Sequence, residues 1–138
     1  MPYVEDIEVS QELPALSKGP VTRQMLVEWC AAENDYYTLH YDERTAAAMN
    51  VPGTLIQGTF KYALMGQAVQ RWLGASGVLN QITAQYRGLN LEGERITARG
   101  RVAKVDPSGR VTLDIWIESE SGERTTEGVA VVTLPCRA

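Results

Sequence analysis

The chain is short of several residues on which common chemistries depend. It has one histidine, two cysteines and one phenylalanine in 138 residues. Cys30 and Cys136 lie far apart, with neither CxxC nor metal-ligand spacing, so no metal site is expected. No signal-peptide pattern opens the chain, and a reducing cytoplasm is the expected compartment. Basic residues are in deficit, the formal net charge being -4, and Lys and Arg are scattered, which argues against a nucleic-acid partner. Arg95, Arg99 and Arg101 are the local exception, because their parity puts them on one strand face. That face is either simply solvated or meets the phosphates of a nucleotide-bearing substrate. No apolar run approaches the ~18 to 20 residues of a membrane-spanning helix, so no membrane partner is expected.

What is present reads as one domain of α+β type, residues 1–138, with 44% hydrophobic residues and no low-complexity tract. Residues 7–13 are expected to form a short leading strand, ended by a loop containing Pro14, Lys18, Gly19 and Pro20. Helical spacing over 22–33, with Thr22 as N-cap and Met25, Leu26, Trp29 and Ala32 inward, predicts an amphipathic helix. A short helix capped by Asp42 is expected over 42–49. Residues 58–73 carry the strongest helical signal and are apolar nearly all round, which predicts a long central helix wrapped by a sheet. Two-residue alternation then predicts four strands. They carry Ile82, Ala84 and Tyr86; Ile96, Ala98, Gly100 and Val102; Val111, Leu113, Ile115 and Ile117; and Val129, Val131 and Thr133. Turns at 106–109 and 121–122 make the sheet an antiparallel meander.

His40 is the only side chain whose ordinary titration falls near neutrality. Asp35 precedes it by five residues, in a polar and aromatic stretch that a loop can aim at one point. The alternative is that Asn34 and Asp35 merely end a helix. Downstream, Val51 to Gly58 leads straight into the most apolar helix, whose first N–H groups lack partners and carry the positive end of the helix dipole. An oxygen acquiring negative charge would be stabilised there. Equally, Gly58 could serve only to let the chain turn close to the sheet.

The order Asp35, Leu39, His40, Ala46 and then Gly58 resembles the signature of the MaoC-like dehydratases and (R)-specific enoyl-CoA hydratases, and Gly93-Glu94 matches their inter-strand turn. The resemblance covers nearly the whole chain and implies a single hotdog domain. It implies a hydro-lyase acting on an α,β-unsaturated or 3-hydroxy acyl thioester of coenzyme A or acyl carrier protein, without metal or other cofactor. Asp35 would be the general base, His40 would hold the water and assist proton transfer, and the Gly58 N–H would stabilise the enolate. Tyr36, Tyr37, Leu39 and Gln57 would contact substrate. The family's Asn-Pro is replaced by Tyr37-Thr38, and the His that commonly precedes its glycine is Gln57 here. Tyr37 would narrow the pocket or place a phenol in it. A homodimer or higher homo-oligomer is implied, since a lone hotdog protomer leaves a sheet edge open. A hotdog acyl-thioesterase is the first alternative, though no Asp or Glu occurs between Gly58 and Leu73. The second is a non-catalytic subunit of a hetero-oligomer.

Overall fold

The longest helix, α3 (Gly58–Leu73), lies in the hollow of an antiparallel sheet, in a computed structural model that describes residues 2–138. Phe60, Leu64, Met65, Ala68, Val69 and Leu73 recur at three- and four-residue spacing and are buried. Thr59, Ala63, Gln67, Gln70 and Arg71 form an exposed stripe. The sheet therefore covers one side of this helix rather than all of it, and Lys61 lies on the covered side.

The strands are β1 (Leu16–Lys18), β2 (Val78–Tyr86), β3 (Ile96–Val105), β4 (Arg110–Glu118) and β5 (Arg124–Thr133), arranged β1-β3-β4-β5-β2 with every pair antiparallel. β3, β4 and β5 form the expected meander, closed by a Gly109 N–H bond to Asp106 O (2.9 Å) and a Gly122 N–H bond to Ser119 O (3.0 Å). β2 does not join its successor. A crossover over 87–95 carries the chain to the far side of the sheet, leaving β2 as an edge against β5.

The expected leading strand over 7–13 is not formed. Residues 10–13 do bond to β3, through Leu13 N–H to Gly100 O (2.9 Å) and Val102 N–H to Gln11 O (2.8 Å), but only as an isolated bridge. Pro14 has no N–H to continue the ladder, and pairing resumes at β1, which includes Lys18. The inner face of β5 is also of opposite parity to the expected one: Ala130 and Val132 are buried, whereas Val129 lies outside. Apolar side chains at every position from 129 to 132 removed the alternation that distinguishes the faces.

Helix α1 (Arg23–Glu33) begins at Thr22, whose Oγ1 accepts the Met25 N–H (3.2 Å), and ends at Asn34 with φ 54. Helix α2 (Glu43–Ala48) begins at Asp42, which accepts the Arg44 N–H (2.9 Å). A second small core of Leu39, Ala46 and Leu55, flanked by Val51 and Leu91, lies beneath the loop between them.

β2 depends on a close approach to β5, because a Cβ at Gly128 would collide with the Thr83 carbonyl oxygen. We expect Gly128→Ala to cost about 1–3 kcal/mol, since backbone cannot yield as a flexible side chain can. Urea denaturation should show the midpoint falling with an unchanged slope.

Candidate active site

Between α1 and α2 the chain makes two turns that aim Asp35 and His40. The left-handed Asn34 lets Asp35 N–H return to Cys30 O (3.0 Å), ending α1 and directing the next residues away from it. Tyr37 then ties both candidates to one backbone unit. Its N–H donates to Asp35 Oδ1 (3.3 Å), and its carbonyl accepts the His40 N–H (3.1 Å) to open a 3-10 turn, Thr38–His40. No hydrogen bond joins the Asp35 carboxylate to the His40 ring among the described residues.

The His40 ring is fixed at its other side by Leu55, whose carbonyl lies 2.9 Å from Nδ1. A carbonyl only accepts, so Nδ1 carries the hydrogen and the neutral ring keeps its lone pair on Nε2. The Tyr37 ring stands edge-on to the imidazole, with centroids 5.8 Å apart. Leu55 begins the approach to α3, three residues before Gly58, so this bond couples the loop to the helix start.

Gly58 is the first residue of α3, and no side chain caps that end. Tyr86, the last residue of β2, lies flat against it: a Cβ at Gly58 would fall 2.9 Å from Tyr86 Cζ. Tyr86 is half exposed, and partial burial of its ring raises the phenol above its ordinary pKa, with neighbouring Tyr62 and Glu33 acting in the same direction. Glu33 accepts from Trp29 Nε1 (3.0 Å) and Thr59 Oγ1 (2.6 Å), which sets a carboxylate beside the first turn of α3.

Tyr36 and Tyr37 are exposed on the loop; the Tyr41 hydroxyl donates to Tyr36 O (3.0 Å), and the Tyr37 hydroxyl contacts Met49 Sδ (3.2 Å). Leu39 and Gln57 are not surface groups. Leu39 belongs to the second core, where Ala46 packs at 1% exposure, so those signature positions support the turn instead of touching solvent. Gln57 points inward, its Nε2 donating to Leu26 O (2.9 Å) and Cys30 Sγ (3.4 Å), and its buried Oε1 has no partner among the described residues. Both side chains are thus buried and held by neighbours in this chain. Two of the three arginines are also committed, whereas Arg95 lies just before β3. Arg99 pairs with Glu118 (2.6 Å), and Arg101 pairs with Glu12 (3.6 Å) and lies over Trp116, on the sheet face turned away from α3.

Sequence reading missed Lys61, which is 3% exposed at the second turn of α3. Its Nζ donates to Gly88 O (3.1 Å) and Asn90 Oδ1 (3.2 Å), and it makes no ion pair among the described residues. The signal available was a lysine in phase with the apolar face of the helix. Beside the same helix start, a groove of about 490 Å³ runs between α1 and α3, lined by Met25, Trp29, Phe60, Ala63 and Leu64 among others. Among the described residues, no three His, Cys, Asp or Glu side chains gather as metal ligands, and no helix is long and apolar enough to cross a membrane.

A family model described as a MaoC-like domain matches residues 7–116. The chain belongs to the MaoC-like family. Its fold is the hotdog fold of solved relatives. It is similar to the (R)-hydratase from A. caviae involved in PHA biosynthesis, with TM-score 0.86 and 23% identity over 95% of this chain and 99% of that one. It is likewise similar to R-hydratase PhaJ1 from Pseudomonas aeruginosa, with TM-score 0.88 and 19% identity over 98% and 86% of the two chains. A chain of the ChsH1-ChsH2 complex from Mycobacterium tuberculosis gives TM-score 0.82 and 19% identity over 92% and 98%. No curated protein sequence matches.

Burial pushes Lys61 down to about 8 from its ordinary value of 10.5, the nearby Glu94 opposing the shift. Between those values the unfolded MaoC-like chain binds a proton that the folded one does not, so this group makes stability rise with pH across that window. We expect the unfolding free energy of the unmodified protein to increase from pH ~8 to ~10.5 relative to Lys61→Met, followed by urea denaturation. Parallel curves would show that Lys61 is not the titrating group.

Proposed function

We propose that this MaoC-like protein is a hydro-lyase that adds water reversibly across the double bond of an α,β-unsaturated acyl thioester of coenzyme A or an acyl carrier protein. The observation that carries the reading is the Nδ1–H bond of His40 to Leu55 O, which leaves Nε2 as an acceptor on the loop that also presents Asp35. A water held there has two O–H donors and meets two acceptors, so its oxygen lone pair is free to attack.

In this mechanism Asp35 takes one proton as the water oxygen bonds to the β-carbon. The double-bond electrons move to the thioester oxygen, and the Gly58 N–H stabilises the resulting enolate. The proton returns to the α-carbon through the Asp35 and His40 pair, so water is added with no redox change. In this reading Tyr36 and Tyr37 line the approach, and the apolar groove between α1 and α3 takes the acyl tail. Both thiols are free, consistent with a cytoplasmic setting.

Asp35→Asn and His40→Ala should each lower turnover of the preferred trans-2-enoyl thioester by ~100-fold or more with the fold retained. Loss of enoyl ultraviolet absorbance across short, long, branched and ring-bearing substrates provides the assay. Near-normal turnover in either variant removes that residue from the mechanism, and release of free thiol instead of hydration makes the protein a thioesterase.

The partner we propose is a second copy of the chain, paired along the open edge of β2. Val78, Tyr86, Leu89 and Val129 are exposed on and around that edge. Asp35 is also exposed in the single chain, where a base would remain fully hydrated. Light scattering on the purified protein should give twice the chain mass. A monomer with full turnover would exclude this arrangement.

A further inference from the structure

Lys61 occupies a costly position. A buried ammonium with no ion pair among the described residues lowers stability, so the charge calls for a compensating role. Its two hydrogen bonds end on the segment that builds both walls of the α3 start. Asn90, fully buried, accepts Lys61 Nζ on its side chain and the Ile56 N–H (2.9 Å) on its backbone carbonyl, two residues before Gly58. Gly88 accepts Lys61 Nζ two residues after Tyr86, whose ring covers Gly58. The ammonium also lies 5.8 Å from the centroid of that ring. One cation thus anchors the backbone leading to the Gly58 N–H and the strand end carrying the ring over it.

We propose that Lys61 is a positioning residue for the anion-stabilising end of α3, holding the Gly58 N–H and the Tyr86 ring in register through Asn90 and Gly88. The catalytic consequence rests on the hydratase reading; the structural one does not. The charged or titratable groups around Lys61 are Tyr86 on β2, Glu94 in the crossover and, beyond the Tyr86 ring, Tyr62 on α3 and Glu33 on α1. Glu123 lies against Gly88 from the turn before β5. Protonated Lys61 donates to two acceptors and attracts the ring face. Neutral Lys61 loses the cation–π attraction and about half the strength of both bonds, which loosens the Gly88 to Asn90 segment. Tyr86 ionises above its ordinary range, so movement of its ring near pH 8 reports on Lys61 and not on its own phenol.

The test follows the Gly58 amide and Tyr86 ring resonances of the unmodified protein by NMR from pH ~6 to ~10, beside the Lys61 side-chain signal. All three should share one midpoint near 8, and the basic limb of kcat for the enoyl thioester should fall at that midpoint. Lys61→Met should lower kcat about tenfold with KM changed less than about threefold, and should abolish the titration of Gly58 and Tyr86. Lys61→Arg, which keeps its charge, should recover most of kcat and lack the limb near pH 8. Gly58 and Tyr86 signals that do not move with Lys61 overturn the proposal, as does Lys61→Met with unchanged kcat and pH profile. Should Lys61→Met not fold, the titration of the unmodified protein decides alone. Should that protein hydrate no enoyl thioester, the hydratase reading fails while a shared titration still establishes the positioning role.

Discussion

The seating of α3 in the hollow of the sheet is the contact on which the rest of the molecule depends. Leu64, Met65, Ala68, Val69 and Leu73 bury one face of that helix against Ile96, Ala98, Val102, Leu113, Ile115 and Val132. Each large apolar side chain so buried contributes about 1.5–3 kcal/mol, and together they oppose the entropy of ordering the strands. Because the helix axis is fixed by this packing, its N-terminus is fixed as well, with the uncapped Gly58 beside the end of β2. The proposed chemistry would therefore sit at the rim of the core, where packing supplies rigidity and the helix end supplies donors.

Around that rim, polar links replace hydrophobic burial. The connector through residues 54–56 is bound on one side to the His40 loop, by Leu55 N–H to Leu39 O (3.2 Å), and on the other to the crossover, by Ile56 N–H to Asn90 O (2.9 Å). Glu92 accepts from Thr54 Oγ1 (2.7 Å) and from Arg23 Nη2 (2.8 Å), which joins the start of α1 to the same region. The Arg23 end is half exposed and water-screened, so this pair orients segments more than it stabilises them. The segment carrying His40, the start of α3 and the crossover after Tyr86 accordingly form one hydrogen-bonded unit.

The departures from the family signature fit this construction. Thr38 opens the 3-10 turn, a position that needs no N–H donor to its own helix, and its Oγ1 accepts a hydrogen bond from Thr45 (3.0 Å) that fastens the turn to α2. The turn is thus held by a side-chain bond instead of a proline ring. Gln57, in the place of the more usual histidine, uses its amide to fasten the start of α3 to the carbonyl of Leu26 in α1. Both replacements change how the loop and helix are held while leaving Asp35, His40 and Gly58 in sequence register.

By itself the sequence determined the helices, the three-stranded meander and the local turns, because apolar periodicity, the Thr22 and Asp42 caps and the two hairpin turns depend on neighbours in the chain. The Asp35 to Gly58 spacing was legible for the same reason, together with its likeness to a family. The parity of β5 was not, since valines on both faces carry no alternation, and the leading strand failed where Pro14 removed a donor. Only the tertiary structure decided which side chains the core would claim. Leu39 and Gln57 were turned inward, Arg99 was matched with Glu118, and Lys61 was drawn under Tyr86. Each of these outcomes depends on a partner distant in sequence, and burial, charge pairing and ring stacking exist only once folding has brought those partners together.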